Sequence, residues 1–372
     1  MRQKKSRTGN PQPPIRTPQY PHGGNIYALA RARAVAPAQV LDFSASINPL
    51  GVPRRAVRDY HQALSRIVHY PEPYAESLTA GLAAYHGVDP GAILVGNGST
   101  QLIFLLARFL SARRVLLVSP LFSEHAAAFR MNSARVERFF LRPPAFTCSL
   151  EQVREVLTSR YDTLVLTNPN SPTGAAMSYG QVEELARLCR RARTRLIVDE
   201  TFVDWIEEES TKHLAARSSH VIVLRSLTKF FAVPGLRVGY LIAHPRLVAQ
   251  LRRHLEPWSV NTIAQTVALA CLQDREFARR SRAFLIQERE WLFAQLDTVE
   301  GLHPFPSRAN FLLVRISRGY DAPAVVQLLA EKNLLVRDCT NFPGLGRKFF
   351  RVAVRTRQEN HCLLSELRAL FS

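Results

Sequence analysis

The chain has 372 residues, 47% of them hydrophobic, which is material for a large core and length enough for two domains. No apolar run approaches the roughly 18 residues of a membrane span, and the basic, proline-rich start lacks the apolar stretch of a secretory signal. A cytoplasmic protein with no membrane partner is expected. The net charge of +19 arises from arginines spread over the whole chain without a recognition motif, so a solvated basic surface is predicted and no specific nucleic acid. The five cysteines are odd in number, widely spaced and free of Cys-x-x-Cys pairs, which excludes a disulfide framework and a metal site and predicts buried thiols.

Residues 1–19 carry Arg2, Lys4, Lys5, Arg7 and four prolines with almost nothing apolar, and read as a disordered tail. The fold is expected to begin near Tyr20. At His22-Gly23-Gly24-Asn25 two glycines free the backbone for close approach, with His22 and Asn25 offering donors beside it. Leu41 to Gly51 reads as an extended segment closed by a turn at Asn48-Pro49, with small polar side chains suited to face a ligand. His69 to Tyr74 holds two prolines in three residues, which predicts an exposed extended arm able to reach a partner subunit.

From Ala92 onward, apolar runs alternate with helical periodicity, the pattern of an α/β fold with a mostly parallel sheet flanked by helices. Strands are predicted at Ile93 to Val95, Val115 to Val118, Leu164 to Thr167, Leu196 to Val198 and Val221 to Leu224. Capping boxes mark helix starts at Ser149 with Gln152, Ser178 with Gln181 and Thr356 with Glu359. Between the first strand and its helix, Leu102 to Leu110, the loop Gly96-Asn97-Gly98-Ser99-Thr100 offers free amides to a phosphate. Asn168 to Gly174 and Asp199-Glu200-Thr201-Phe202 each follow a strand, where open parallel sheets bind ligands. Asp199, after Ile197-Val198, is a carboxylate at the edge of a core and needs a cation or a donor beside it.

The most informative stretch is Arg225 to Gly239. An apolar strand leads into a hydroxyl-rich loop with one lysine, Lys229, then Arg237 and Gly239 as the chain turns back into the apolar run Val238 to Ala243. Ser226 lies three residues before Lys229 and Arg237 eight after, a spacing seen where a lysine holds pyridoxal phosphate as a Schiff base while the hydroxyl and guanidinium bind its phosphate. Beyond it, Thr262 to Leu272 and Arg275 to Leu296 are predicted helices. From about Gly301, strands at Phe311 to Val314 and Phe350 to Val354 alternate with helices Ala322 to Glu331 and Thr356 to Leu370, which predicts a smaller α+β domain. Arg337 and Arg351, near those strands, suit planar anions. The expected division is residues 1–19 as tail, 20–60 as an N-terminal arm and part of the small domain, 61–297 as the large domain and 298–372 as the small C-terminal domain.

The Gly-Asn-Gly loop, Asn-Pro-Asn-Ser-Pro-Thr-Gly, Asp-Glu-Thr-Phe and Ser-Leu-Thr-Lys occur in one order, and with it the chain resembles fold-type I pyridoxal-phosphate enzymes of the aminotransferase superfamily. Within them, His22 to Asn25, Asp42 to Gly51, Pro257 to Asn261 and Asn341 to Leu345 look most like the threonine-phosphate decarboxylase group of cobalamin biosynthesis. Histidinol-phosphate aminotransferase is the next relative. The resemblance implies a seven-stranded, mostly parallel sheet in the large domain and a homodimer with shared active sites. It implies Lys229 as the Schiff-base lysine, Asp199 on the pyridine nitrogen, Asn170 on the ring oxygen and Phe122 stacked on the ring. Gly98, Ser99, Ser226 and Arg237, with Tyr70 from the second subunit, are implied at the cofactor phosphate. For the substrate it implies Arg351 on the carboxylate, Arg337 on the phosphate, and His22 and Ser46 close by.

The implied reaction is decarboxylation of L-threonine O-3-phosphate to (R)-1-amino-2-propanol O-2-phosphate. The group usually has Asn where this chain has Ser46, which keeps serine phosphate, giving ethanolamine phosphate, open as a substrate. A histidinol-phosphate-type aminotransferase remains open because it would use the same cofactor residues. A ligand-sensing DNA-binding regulator would need a helix-turn-helix ahead of the fold, where only the short basic tail is expected.

Overall fold

The apolar runs from Ile93 onward pair into a single sheet in the computed structural model, which describes residues 22–157 and 160–372. The predicted tail and the start at Tyr20 lie outside the described residues. After a two-residue strand β1 (Leu41–Asp42), the sheet is built from β2 (Ile93–Gly96), β3 (Arg114–Ser119), β4 (Arg135–Phe140), β5 (Thr163–Thr167), β6 (Arg195–Asp199), β7 (Val221–Ser226) and β8 (Gly239–Ala243). The spatial order is β2-β8-β7-β6-β5-β3-β4. Only β8 runs against its neighbours, β2 and β7; the other pairs are parallel.

Central strands are apolar throughout because both faces are covered, so successive side chains enter opposite cores. Leu164, Leu166, Leu196, Val198, Val221 and Val223 join one cluster, whereas Val165, Ile197, Ile222 and Leu224 join the other. A second, four-stranded sheet follows: β9 (Leu302–Pro304), β10 (Phe311–Ile316), β12 (Arg337–Asp338) and β13 (Phe349–Ala353), in the order β12-β13-β10-β9. The strand β11 (Leu334–Leu335) pairs in parallel with β1, which ties the N-terminal segment to this later part of the chain. Among the described residues no helix is long and apolar enough to cross a membrane.

The α/β class and the seven-stranded, mostly parallel sheet are as expected. Several local features differ. Strand β4 carries Arg135, Glu137 and Arg138 at a sheet edge that is largely open to solvent, so it has no apolar run to announce it. The helix expected from Leu102 begins at Gly98, and Ser99 and Thr100 lie in its first turn, ahead of the loop position assigned to them. Ser178 with Gln181 and Thr356 with Glu359 form complete capping boxes, but Ser149 only accepts from the Gln152 amide. Asn25 caps the helix Ile26–Arg33 through the Ala28 amide, so its side chain serves the fold. Four cysteines are buried and Cys362 is exposed, which corrects the expectation for that one thiol.

Candidate active site

Strands β5, β6 and β7 end on one edge of the large sheet, and a cavity of about 160 Å³ opens above them. Lys229 lies on its floor, in the turn after β7. Its carbonyl accepts from the Asn48 amide at 3.0 Å, and the Asn48 side chain donates to the Phe230 carbonyl and to Ser281, both at 2.8 Å. The lysine loop is thereby anchored to the N-terminal segment and to a helix, Arg275–Asp297. Burial, reinforced by the charges of Arg351 and Arg237, lowers the Lys229 amine to about 8. An amine held there is partly neutral near physiological pH and can attack an aldehyde.

Asp199 closes β6 and is almost fully buried. One carboxylate oxygen lies 2.8 Å from His125 Nε2, and the other accepts from the Thr201 amide at 3.1 Å and the Thr201 hydroxyl at 2.6 Å. Burial alone would raise this carboxyl; the hydrogen bond and charge of His125, with Thr201, outweigh it and hold the pKa below the ordinary value. The result is a fixed anion at the cavity wall. His125 went unnoticed in the sequence; it stands three residues after Phe122, one turn along the helix Ser123–Met131, and that spacing was the available signal.

A cup for an anion forms where three segments converge. The helix Gly98–Leu110 points its unpaired first amides toward the cavity at Ser99 and Thr100. The Ser226 and Thr228 hydroxyls lie 2.8 Å apart on its other side. Arg237 completes it so closely that a Cβ on Gly98, where φ is +75°, would come within 2.7 Å of Arg237 Nη2.

The second sheet supplies two guanidiniums. Arg337 and Arg351 are register partners across β12 and β13, so both face the cavity from one side. Arg351 donates through Nη1 to the Ser171 hydroxyl and through Nη2 to the Ser44 carbonyl, each at 2.9 Å, and its guanidinium stands 4.8 Å from the Phe311 ring centroid. Burial pushes its pKa down to about 10, so it stays charged at neutral pH. Arg337 Nη2 donates to Asn341 Oδ1 at 2.8 Å, and its guanidinium lies 4.8 Å from the Phe342 ring centroid. His22 sits at the mouth, 3.0 Å from Glu124 through Nε2 and with its ring 5.3 Å from that of Phe122.

Nine residues selected from the sequence therefore share one cavity: His22, Ser99, Phe122, Asp199, Ser226, Lys229, Arg237, Arg337 and Arg351. Gly98 stands directly behind it. Three others are placed differently. Asn170 donates its amide to the Pro120 carbonyl at 2.9 Å and accepts from Thr173, so it shapes its own loop. Ser46 is buried away from the cavity wall, its hydroxyl without a hydrogen-bond partner among the described residues; Ser44 and Ala45 line the wall in its place. Tyr70 is 83% exposed and packs against Trp258, outside the cavity of its own chain.

The arrangement can hold a planar, aldehyde-bearing phosphate with a protonatable ring nitrogen, and beside it a molecule with two further anionic groups. The family model for aminotransferase class I and II matches residues 38–367. The chain is 38% identical over 349 residues to a threonine-phosphate decarboxylase of Salmonella typhimurium, covering 93% of this chain and 95% of that protein. The crystal structure of an L-threonine-O-3-phosphate decarboxylase from Porphyromonas gingivalis matches with a TM-score of 0.80 at 25% identity, over 89% of this chain and 99% of that one. A histidinol-phosphate aminotransferase from Sinorhizobium meliloti, solved in complex with pyridoxal-5'-phosphate, matches with a TM-score of 0.83 at 19% identity over 95% of each chain, a likeness of fold. The chain belongs to the aminotransferase class I and II family.

Proposed function

We propose that the chain is a pyridoxal-phosphate-dependent decarboxylase of L-threonine O-3-phosphate, releasing CO2 and (R)-1-amino-2-propanol O-2-phosphate. The observation that carries this reading is the pair Arg337 and Arg351 set side by side across the cavity from Lys229, a match for a small amino acid with both a carboxylate and a phosphate. The 38% identity to the Salmonella relative supports the same choice.

The residues present fit pyridoxal phosphate. The close fit of Gly98 to Arg237 leaves an anion cup with no Cβ in it, the Lys229 side-chain amine makes no hydrogen bond among the described residues, and Asp199 is a fixed carboxylate. In this reading the cup takes the cofactor phosphate, Lys229 Nζ is the covalent attachment point, Asp199 keeps the ring nitrogen protonated and Phe122 covers the ring. The cofactor, once bound, supplies an electron sink for the pair left at Cα when the Cα–carboxylate bond breaks and CO2 departs. The rest is done by the chain. Arg351 grips the substrate carboxylate, Arg337 and His22 hold its phosphate, and the two anchors fix which Cα bond is presented for cleavage. Lys229 Nζ then serves as the proton carrier for Cα. Asn170 keeps its second amide hydrogen for the ring oxygen.

The test is direct. Purified protein with pyridoxal phosphate is expected to release one CO2 per threonine phosphate consumed, and to do so faster than from serine phosphate. Keto acid formed from the substrate when an amino-group acceptor is offered, with no CO2, would replace the decarboxylase by an aminotransferase; preference for serine phosphate would change the substrate.

The same reading makes residues 61–297 the cofactor-holding body, and 20–60 with 298–372 the body that delivers the two arginines; the β1–β11 pairing supports it. We also infer a homodimer. Val57, Tyr60, Leu64, Ile67, Val68 and Tyr70 form an exposed apolar band, with Val68 78% exposed. A second copy covering it would bring Tyr70 to the neighbouring site. Sedimentation equilibrium at micromolar concentration is expected to give twice 41.9 kDa, and a monomer would end this inference.

A further inference from the structure

Arg225 is among the most deeply buried side chains of the chain, although it immediately precedes Ser226 of the anion cup. Strand alternation explains the pairing of roles. Asp199 and Ser226 turn toward the cavity face, and their chain neighbours Glu200 and Arg225 turn to the opposite face of the sheet. The Glu200 amide donates to the Leu224 carbonyl at 2.8 Å, so the two segments stay laddered to that point.

On that hidden face Arg225 spreads its guanidinium over three carboxylates. Nη1 donates to Glu200 at 3.3 Å and to the Ser210 hydroxyl at 3.0 Å; Nη2 donates to Asp204 at 3.0 Å and to Glu207 at 2.7 Å. Glu200 is held further by the Ser210 hydroxyl at 2.6 Å and by the Thr211 amide and hydroxyl, each at 2.7 Å. Lys212 and His86 both approach Glu207. Arg282 donates to the Asp204 carbonyl at 2.7 Å and lies over the ring of Phe230, the residue after Lys229. Burial opposes the Arg225 charge, yet Glu207, Asp204 and Glu200 raise its pKa well above the ordinary value.

A buried cluster of this kind costs much desolvation, and well-packed apolar side chains would often stabilise a fold as well. What a guanidinium fork adds is direction, since its donors fix the angles of the groups they bind. We propose that Arg225 is a positioning residue for the cofactor site: by locking Glu200 to β7 from behind the sheet, it sets where Asp199 and Ser226 stand in front of it. Asp204 and Glu207 brace the guanidinium, and Arg282 extends the brace to the lysine loop. The inference rests on the cofactor part of the reading above and not on which phosphate is decarboxylated.

The experiment uses Arg225→Lys, which keeps the charge and loses the fork, and Glu207→Gln, which weakens the brace at a side chain that is 20% exposed. Pyridoxal phosphate affinity is measured by equilibrium dialysis, the visible circular dichroism of the bound cofactor reports how its ring is held, and the melting point of the cofactor-free protein reports the fold. Arg225→Lys is expected to weaken binding about tenfold, the order found when partners that orient a ligand set are removed. Both variants are expected to change the visible dichroism while the cofactor-free melting point of Glu207→Gln stays near wild type. Wild-type affinity and dichroism in folded variants would overturn the proposal. If Arg225→Lys does not fold, Glu207→Gln decides alone by the same two readouts.

Discussion

Lys229→Ala is expected to lose at least about 10³-fold in turnover, because under the proposed function it removes both the covalent attachment point and the proton carrier, and a positioned proton carrier alone contributes about 10²–10⁴-fold. Pyridoxal phosphate added to the variant is expected to give no visible band of a lysine-bound cofactor in the absorption spectrum. A variant that keeps that band would move the attachment to another lysine. The same residue controls a stability effect in the cofactor-free protein. Burial lowers its amine from near 10.5 to about 8, so between those values the unfolded chain binds more protons than the folded one and stability rises with pH. The penalty is fully present below pH 8 and gone above about 10.5. Lys229→Met is therefore expected to be more stable than wild type at pH 7, on the order of 3 kcal/mol, with the two converging as pH climbs through that window. Urea denaturation of both cofactor-free proteins at pH 7 and pH 10 measures it. A difference that grows with pH would contradict the assignment.

Asp199→Asn carries the next largest expectation. The substitution keeps size and two hydrogen-bonding atoms but removes a charge that His125 and Thr201 hold ionised in a buried place. Fixed charges of this kind contribute about 10²–10³-fold to turnover when a single one is removed, since a dry, preorganised site does not let water substitute. A fall of that order in kcat is expected, with a weaker effect on KM because the proposed function assigns the substrate anions to Arg337 and Arg351. Steady-state kinetics on cofactor-saturated protein, following CO2, checks it; a kcat within threefold of wild type would free Asp199 of the role.

The sequence was most legible where backbone and chemistry are local. Buried parallel strands show as unbroken apolar runs, and the residues at their ends, Asp199, Ser226 and the Gly98 turn, fall at the ligand edge because the fold brings the carboxyl ends of its parallel strands there. Distances between remote segments were not legible. Ser44 and Ser46 are two apart and would share a face of a regular strand, but the chain bends at Ser44-Ala45, so one lines the wall and the other is hidden. His125 reaches Asp199 across 74 positions, and the Arg225 cluster joins residues from 86 to 282. Neither leaves a periodic trace, since each depends on where helices pack once the sheet exists. Asn25, read as a donor for a ligand, went to a helix cap, a competing use of the same side chain that local pattern does not separate.

The one reversed strand, β8, settles how many separate pieces of chain the cofactor pocket requires. Its first residue, Gly239, is the register partner of both Gly96 and Ser226, so the chain enters β8 at the same edge it has just left from β7. Had β8 followed its parallel neighbours, the chain would have crossed to the far edge first, and the residues before it would lie about 16 Å away, the length of a five-residue strand. Reversal keeps Ser226, Lys229 and Arg237 on a single short excursion. The proposed covalent tether and anion clamp thus travel as one cassette, and any shift of the β7–β8 hairpin moves both together without altering their spacing.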